Sequence, residues 1–382
     1  MNSVTIRNAK LVLDNEIVKG SLYFVEGIIA DIATGEELAS WPRPGIDVEG
    51  AYVMPGLIEI HTDALEWHLR PRPQSLWPAS AAVIGHDAVL ASSGITTVLD
   101  SLCVGDLGGD GFRADTLIAA LDAITYAQIS GRFRIDHLLH YRCEVADSRT
   151  PGLFDDLCDN PLLRLVSLMD HTPGGRQYTD LDKYVHSARA HGDVAVSDIE
   201  AKIARLQQRQ AEYALPNWSR IAKLTVDAGL PLASHDDATV EDVSLAIRSG
   251  VNISEFPTTE IAAQAAKNAG MCTAAGAPNI VRGGSHSGNV AAADLAKAGL
   301  LDIITSDYVP YSLLHAPFVL SCTGVMPLHE AVKLVTTNPA ESVRLHDRGR
   351  LAIGMRADVI SVQVAEGVPL VRSVYSAGRR VA

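Results

Sequence analysis

Histidine and carboxylate side chains recur directly after short apolar runs in this sequence. The run at residues 53–60 leads into His61 and Asp63, and alternation along a strand puts both side chains on one face. Other runs lead into residues of the same kind, namely Glu144, His171, His235, Glu255 and Asp307. Imidazoles and carboxylates are ligands that Zn, Mn, Fe or Mg ions take in proteins. The recurrence predicts a site for one or two divalent metal ions, with His61, Asp63, Glu144, His171, His235 and Asp307 as ligands.

Such a site would favour hydrolysis. A divalent cation lowers the pKa of bound water towards about 7 and polarises the electrophile. We expect Asp307 to accept the proton of the nucleophile, provided that it lies within hydrogen-bond reach. The same ligands could instead hold a purely structural ion, but catalytic ions keep an open position in a concave cleft.

Eight apolar runs, separated by helical stretches, must position these side chains. They lie at residues 53–60, 95–100, 135–141, 163–169, 230–234, 251–254, 271–275 and 302–306. Near-continuous apolar strands that alternate with helices are typical of a parallel sheet covered on both faces. We predict a (β/α)8 TIM barrel at residues 55–345, with its functional residues at the carboxyl ends of the strands. A doubly wound open sheet is the alternative, although no glycine-rich dinucleotide fingerprint favours it.

The two ends of the chain have a different pattern, with short strands and tight turns. Neither end could bury a core alone, so we predict that residues 1–54 and 346–382 pair into one small β-sandwich domain. The segment 174–224 is too long for a single barrel helix. We interpret it as a helical insertion over the active face or an oligomer contact, and a solvated pair of helices is the alternative.

Composition excludes several classes of protein. The net charge of -13, without a basic stripe, argues against nucleic-acid binding. The sequence contains no run of about 18 uncharged apolar residues, so we expect no membrane span. The first ten residues lack the apolar region of a secretory signal, and the 5 cysteines are scattered, so we expect reduced thiols and a cytoplasmic location.

Two motifs at opposite ends of the chain resemble the amidohydrolase superfamily. Residues 53–61 resemble its strand-one signature, and residues 349–360 resemble its C-terminal motif. The resemblance implies the barrel, the small β-domain, a mono- or dinuclear metal site and a homo-oligomer. Two departures narrow the family: Asp63 replaces the usual second histidine, and no lysine ends a predicted strand. Glu144 is then the candidate for the carboxylate that bridges two metals, and the role of Glu255 stays open.

Longer motifs resemble the branch of this superfamily that acts in the carbon–phosphorus lyase pathway of phosphonate catabolism. They lie at residues 61–63, 68–73, 77–78, 86–87, 94–98, 255–260, 276–279 and 282–289. The resemblance implies hydrolysis of the α–β phosphoanhydride of a ribose phosphonate 5-triphosphate, with release of pyrophosphate. The alternatives are another amidohydrolase reaction, on a cyclic amide, an N-acetyl sugar phosphate or a base, and a non-catalytic scaffold.

Four residues are candidates for binding that triphosphate. Arg70 and Arg72 lie in a proline-stiffened loop just beyond the first ligands, and arginine can grip phosphate with two hydrogen bonds. Arg282 and His286 belong to a Gly/Ser loop before a helix, where backbone N–H groups can cradle phosphate. The alternatives are surface ion pairs for the two loop arginines, a flexible lid for the glycine-rich loop, and an ordinary surface role for His286.

Overall fold

A computed structural model gives the positions of residues 3–41, 43–107, 111–176, 181, 185, 196–285 and 288–382. Its strands are β1 (Ser3–Val12), β2 (Ile17–Val25), β3 (Ile28–Thr34), β4 (Ile46–Asp47), β5 (Tyr52–Pro55), β6 (Leu57–Thr62), β7 (Ile95–Val104), β8 (Asp136–Glu144), β9 (Leu163–Met169), β10 (Leu232–His235), β11 (Ile253–Glu255), β12 (Cys272–Gly276), β13 (Ile303–Thr305), β14 (Val359–Ala365), β15 (Val368–Ser376) and β16 (Arg379–Arg380). They form two sheets, one from the middle of the chain and one from its two ends.

The middle sheet is a closed parallel barrel. Strands β6 to β13 pair in chain order, each parallel to the next. The barrel closes where β6 meets the segment after β13: the Asp307 backbone N–H donates to the His61 carbonyl at 3.1 Å, and the Thr62 hydroxyl donates to the Asp307 carbonyl at 2.7 Å. This confirms the predicted (β/α)8 barrel. Apolar side chains from all eight strands, including Ile58 and Leu99, fill its interior below the carboxyl ends.

Helices cover the outside of the barrel. They are α1 (Leu65–Leu69), α2 (Ala79–Ser92), α3 (Phe112–Ile129), α4 (Thr150–Leu157), α5 (Val196–Arg209), α6 (Leu215–Asp227), α7 (Val240–Arg248), α8 (Glu260–Asn268), α9 (Ala277–Arg282), α10 (Ala292–Lys297), α11 (Ser312–Cys322), α12 (Leu328–Lys333) and α13 (Thr337–Ser342). A π-helical turn, Gln210–Ala214, joins α5 to α6. None of the helices that the structure describes is long and apolar enough to cross a membrane.

Hydroxyl caps start the helices that follow the two strands carrying His235 and Glu255. Thr239 begins α7 in a capping box with Asp242, and Thr259 accepts a hydrogen bond from the backbone of α8. These caps satisfy otherwise unpaired backbone N–H groups close behind the strand ends. They therefore fix the short turns from which the site side chains project.

The second sheet has the order β16-β15-β14-β5-β1-β2-β3, with β4 added alongside β1, so it combines both ends of the chain as predicted. The Phe24 ring on β2 packs edge-on against Tyr375 on β15, with ring centroids 5.2 Å apart. Because these strands are not neighbours in the sheet, the sheet must fold over a core of its own. That gives it a sandwich-like form.

Strand β1 bulges where Asn8 takes the left-handed conformation (φ 55°). One detail of the strand predictions was wrong. The run 53–60 is split at Gly56: β5 belongs to the terminal sheet and β6 to the barrel. A Cβ at Gly56 would lie 2.2 Å from the Thr96 hydroxyl, so only glycine lets the chain pass between the sheets there.

A buried ionic network joins the barrel wall to α2. Asp100, on β7, accepts hydrogen bonds from His86 Nε2 at 2.9 Å and from His137 Nδ1 at 2.7 Å. The Asp87 carboxylate lies 3.5 Å from the other ring nitrogen of His137, and the Phe133 ring stacks on that imidazole at 3.8 Å. Burial lowers the pKa of His137, but the two carboxylates outweigh this effect and raise it to about 9.

This network predicts that stability falls at alkaline pH. Because the folded-state pKa of His137 exceeds the unfolded value, its contribution is complete below about pH 6.5 and disappears as the pH rises through about 9. The loss should be on the order of 3 kcal/mol in the free energy of unfolding. Urea unfolding at pH 6.5 and pH 9.5 measures it, and His137→Gln should be less stable but lack this fall. An equal fall in both proteins would contradict the assignment.

Candidate functional site at the barrel mouth

A cavity of about 670 Å³ opens at the carboxyl ends of the barrel strands. This volume suits a small-molecule ligand. The residues predicted as metal ligands all line it: His61, Asp63, Glu144, His171, His235 and Asp307. Lys202 and Leu206 of α5 line it too, which supports the interpretation of the segment before Leu224 as an insertion over the active face.

Glu255 holds two of the imidazoles. Its Oε1 accepts a hydrogen bond from His61 Nδ1 at 3.0 Å, and its Oε2 lies 3.4 Å from His235 Nδ1. The two rings are stacked, 5.5 Å apart and 14° from parallel. A carboxylate bound to one nitrogen of each ring fixes the orientation of the ring and leaves the other nitrogen, Nε2, for a ligand.

A second group of donors lies beside the first. Glu144 Oε2 accepts a hydrogen bond from His171 Nδ1 at 2.7 Å. The ring of His171 lies 5.5 Å from that of His235, whose Nε2 is 3.5 Å from Asp236 Oδ2. This buried carboxylate oxygen has no hydrogen-bond partner in the described part of the chain. Burial raises the pKa of Asp236 to about 6.

The donor set fits divalent metal ions. Ligand atoms of His171, His235 and Asp236 all lie within 4.8 Å of one another, and so do those of His61, His140 and Glu255. Nitrogen and oxygen ligands at this spacing suit Zn and its neighbours in the first transition row. The partnerless Asp236 oxygen is a donor of the kind that a cation satisfies.

Asp307 lies across the mouth from these groups. Burial raises its pKa to about 7, the negative charge of Asp63 adds to the rise, and Arg142 opposes it. Glu59 links the first and last strands of the barrel close to Asp307. Its two carboxylate oxygens accept hydrogen bonds from the backbone N–H groups of His61 at 2.7 Å and Ser306 at 2.6 Å.

Three residues at strand ends adopt the left-handed backbone conformation: Asp236 (φ 56°), Phe256 (φ 54°) and Asp307 (φ 53°). This conformation is uncommon for residues other than glycine, and for a bulky residue such as phenylalanine it is an outlier. Such strain is retained mainly where a site needs it. Here it turns the chain abruptly after the strand, so that Asp236 and Asp307 face the cavity.

Asp63 faces arginines as well as the metal-ligand candidates. Its Oδ2 lies 3.7 Å from Arg113 and 3.7 Å from Arg142. Arg113 also binds Glu66 at 2.8 Å. The mouth therefore has an imidazole and carboxylate side and a cationic side, with Asp63 between them.

Only one of the predicted substrate-binding side chains that the structure describes lines the cavity. Arg70 lines the cavity and its guanidinium stacks on the Phe112 ring at 4.0 Å. Arg72 and Arg282 are exposed and are not among the lining residues. His286 lies outside the described residues, although Ser285 from the same loop reaches the cavity.

The predicted site residues did not include His140, Arg142 or Asp236, nor the cavity-lining Arg113 and Lys202. Alternation along β8 could have found two of them, because His140 and Arg142 precede Glu144 by four and two positions and so share its face. His140 is fully buried and is not among the residues that line the cavity: its Nδ1 donates to the Ile60 carbonyl at 2.9 Å, and its Nε2 lies 2.9 Å from the Ser167 hydroxyl. Both ring nitrogens are thereby occupied, so His140 is the weaker ligand candidate of its group.

The chain is 44% identical over 382 residues to alpha-D-ribose 1-methylphosphonate 5-triphosphate diphosphatase of Escherichia coli (strain K12), a match covering 98% of this chain and 99% of the relative. A sequence profile of the amidohydrolase family matches residues 250–382.

Solved structures agree in fold. The N-acetylglucosamine-6-phosphate deacetylase of Pasteurella multocida superposes with a TM-score of 0.65 at 12% identity, over 99% of both chains. The N-isopropylammelide isopropylaminohydrolase of Burkholderia multivorans superposes with a TM-score of 0.63 at 16% identity, over 100% of this chain and 98% of that one. At these identities the likeness establishes the architecture and nothing finer.

Proposed function

This chain belongs to the amidohydrolase family, and on that premise we propose that it is a diphosphatase that hydrolyses ribose 1-methylphosphonate 5-triphosphate to pyrophosphate and a 5-phosphate. The observation that carries the proposal is the full-length match, at 44% identity, to a relative of that name. Members of this family generally use divalent metals, and the imidazoles and carboxylates at the mouth supply suitable donors. When bound, such a cation supplies Lewis acidity to water and to phosphoryl oxygens.

The residues of the mouth support this chemistry. Water attacks the α-phosphorus, its oxygen joins the sugar 5-phosphate, and the bond from the α-phosphorus to the bridging oxygen breaks, so pyrophosphate leaves with that oxygen. Asp307 takes the proton of the attacking water. Arg70, Arg113 and Lys202 present positive charge to a polyphosphate in a chain whose net charge is -13, so the attraction must be local.

The alternative is a deacetylase or deaminase acting on an N-acetyl sugar phosphate, a cyclic amide or a base. Barrels of this architecture host both kinds of chemistry, so the fold does not decide between them. The cationic side of the mouth favours a phosphorylated substrate, because a cyclic amide or a neutral base offers no charge for those residues to bind. The full-length match to a diphosphatase favours the triphosphate over an N-acetyl sugar phosphate.

Phosphorus NMR in ¹⁸O-enriched water tests the proposal. Metal-supplemented enzyme should convert ribose 1-methylphosphonate 5-triphosphate to pyrophosphate and a sugar 5-phosphate, with the ¹⁸O in the sugar phosphate. Label in pyrophosphate would place the attack on the β-phosphorus. Release of orthophosphate would move it to the terminal phosphorus, and no turnover with metal bound would leave the alternative, tested with cyclic amides and N-acetyl sugar phosphates.

A further inference from the structure

Arg142 is a buried arginine inside the candidate site. It lies on β8 two residues before Glu144, lines the cavity and is only 6% exposed. Its Nη1 is buried and has no hydrogen-bond partner in the part of the chain that the structure describes. The carboxylate of Asp63 comes no nearer to this nitrogen than 3.7 Å, which is beyond hydrogen-bonding distance.

Asp63 balances part of the charge of this guanidinium at 3.7 Å, but the Nη1 donor has no hydrogen-bond acceptor among the described residues. A charged donor that is buried without an acceptor loses its hydration and gains no hydrogen bond in return, so it destabilises the folded protein. The same donor at the surface would stay hydrogen-bonded to water. Among the described residues, Arg142 Nε donates to the Met169 sulfur at 3.2 Å, and a thioether is a weak acceptor. The free donor points to a ligand that carries negative charge and oxygen acceptors.

The other cations of the cavity are placed differently. Arg113 is 37% exposed at its side chain and is already bound to Glu66. Arg70 stacks on Phe112. Arg142 lies deeper than Arg113 and within the electrostatic reach of the metal-ligand candidates, since its charge acts on the pKa values of Asp236 and Asp307.

We propose that Arg142 forms an oxyanion subsite that binds the phosphoryl group under attack, while Arg113 and Arg70 face the departing pyrophosphate. The identity of this phosphoryl group rests on the proposed function, but the anion subsite itself rests on the buried, unpaired donor. Charge spreads over the phosphoryl oxygens in the transition state, so a donor fixed at that position contributes most when the bond breaks. Arg142 is then a catalytic residue, because it touches the reacting group.

Arg142→Gln and Arg142→Lys test the subsite through kinetics. The glutamine variant removes the charge, whereas the lysine variant keeps the charge and loses the planar fork. We expect Arg142→Gln to lower kcat by about 10²-fold to 10³-fold, as loss of an oxyanion donor does, with a smaller change in KM. Arg142→Lys should recover part of kcat. Arg164→Gln, at the opposite end of the barrel on β9, should behave as wild type.

Binding of inorganic phosphate gives a readout that does not depend on turnover. By calorimetry on metal-supplemented protein, Arg142→Gln should raise the Kd for phosphate at least about tenfold, in line with a lost charged hydrogen bond. Metal content should stay as in wild type. If Arg142→Gln fails to fold, a crystal structure of wild-type enzyme soaked with phosphate decides, and the anion should lie within hydrogen-bonding distance of Arg142 Nη1.

The outcomes separate this inference from the proposed function. Wild-type enzyme that binds phosphate through Arg142 but does not cleave the triphosphate supports the subsite and refutes the proposed reaction. Active wild-type enzyme whose Arg142 variants keep both kcat and the phosphate Kd would overturn the subsite alone. Soaked phosphate bound elsewhere, with Arg142 Nη1 still unpaired, would overturn it as well.

Discussion

Asp307→Asn should reduce turnover of the triphosphate by about 10²-fold to 10⁴-fold, the range expected when a general base is removed. Asparagine keeps the size of the side chain and, like aspartate, tolerates the left-handed backbone (φ 53°) that this position requires. The hydrogen bonds that close the barrel at this residue use its backbone, so they survive the change. What is lost is a carboxylate that can accept a proton beside the attacked phosphorus.

Steady-state kinetics, together with metal analysis and thermal unfolding, measure this effect. The melting temperature should stay close to that of wild type. Asp294→Asn, on the exposed face of α10, is the matched control and should leave kcat and KM unchanged. Asp307 would not be the proton acceptor if Asp307→Asn turned over normally with the fold intact. Lost activity together with lost metal would instead make Asp307 chiefly a ligand.

The sequence was sufficient to predict the barrel and the mouth because both depend on period and position. Parallel strands present their carboxyl ends at one rim, so polar residues after apolar runs must gather there. His61 and His235 illustrate this, since they are 174 positions apart by their numbers yet their rings stack. The same reasoning identified the pairing of the chain ends, because two segments without a core must share one.

The sequence did not reveal which residues of the site could bind a ligand and which only support their neighbours. Two histidines of the barrel interior look alike in the sequence, but His140 has both nitrogens occupied while His61 keeps one free. The run at residues 95–100 also continues further than the apolar pattern indicates, as β7 to Val104, and Asp100 serves the network beside α2. These outcomes depend on side-chain rotamers and on strand register, which the apolar pattern does not determine.

We expect removal of a metal ligand to lower the metal content of the purified protein strongly. His235→Ala should leave purified protein with much less than the wild-type amount of divalent metal per chain, because His235 adjoins both groups of donors. Zinc or manganese titrated into the metal-free variant should bind more weakly than wild type by more than about 10²-fold, the upper range for changes in residues that only support ligands. Elemental analysis and calorimetry measure both quantities without any assay of activity.

Glu255→Gln distinguishes a metal ligand from a residue that only orients the ligands. If Glu255 only orients His61 and His235 through their Nδ1 atoms, metal affinity should fall by about 10-fold to 100-fold, since glutamine can still accept a hydrogen bond. If Glu255 is itself a ligand, Glu255→Gln should lose metal as completely as His235→Ala does. His346→Ala, an exposed histidine away from the mouth, controls for nonspecific binding and should retain the full metal content. Wild-type metal affinity in His235→Ala would remove His235 from the centre and with it the arrangement around Glu255.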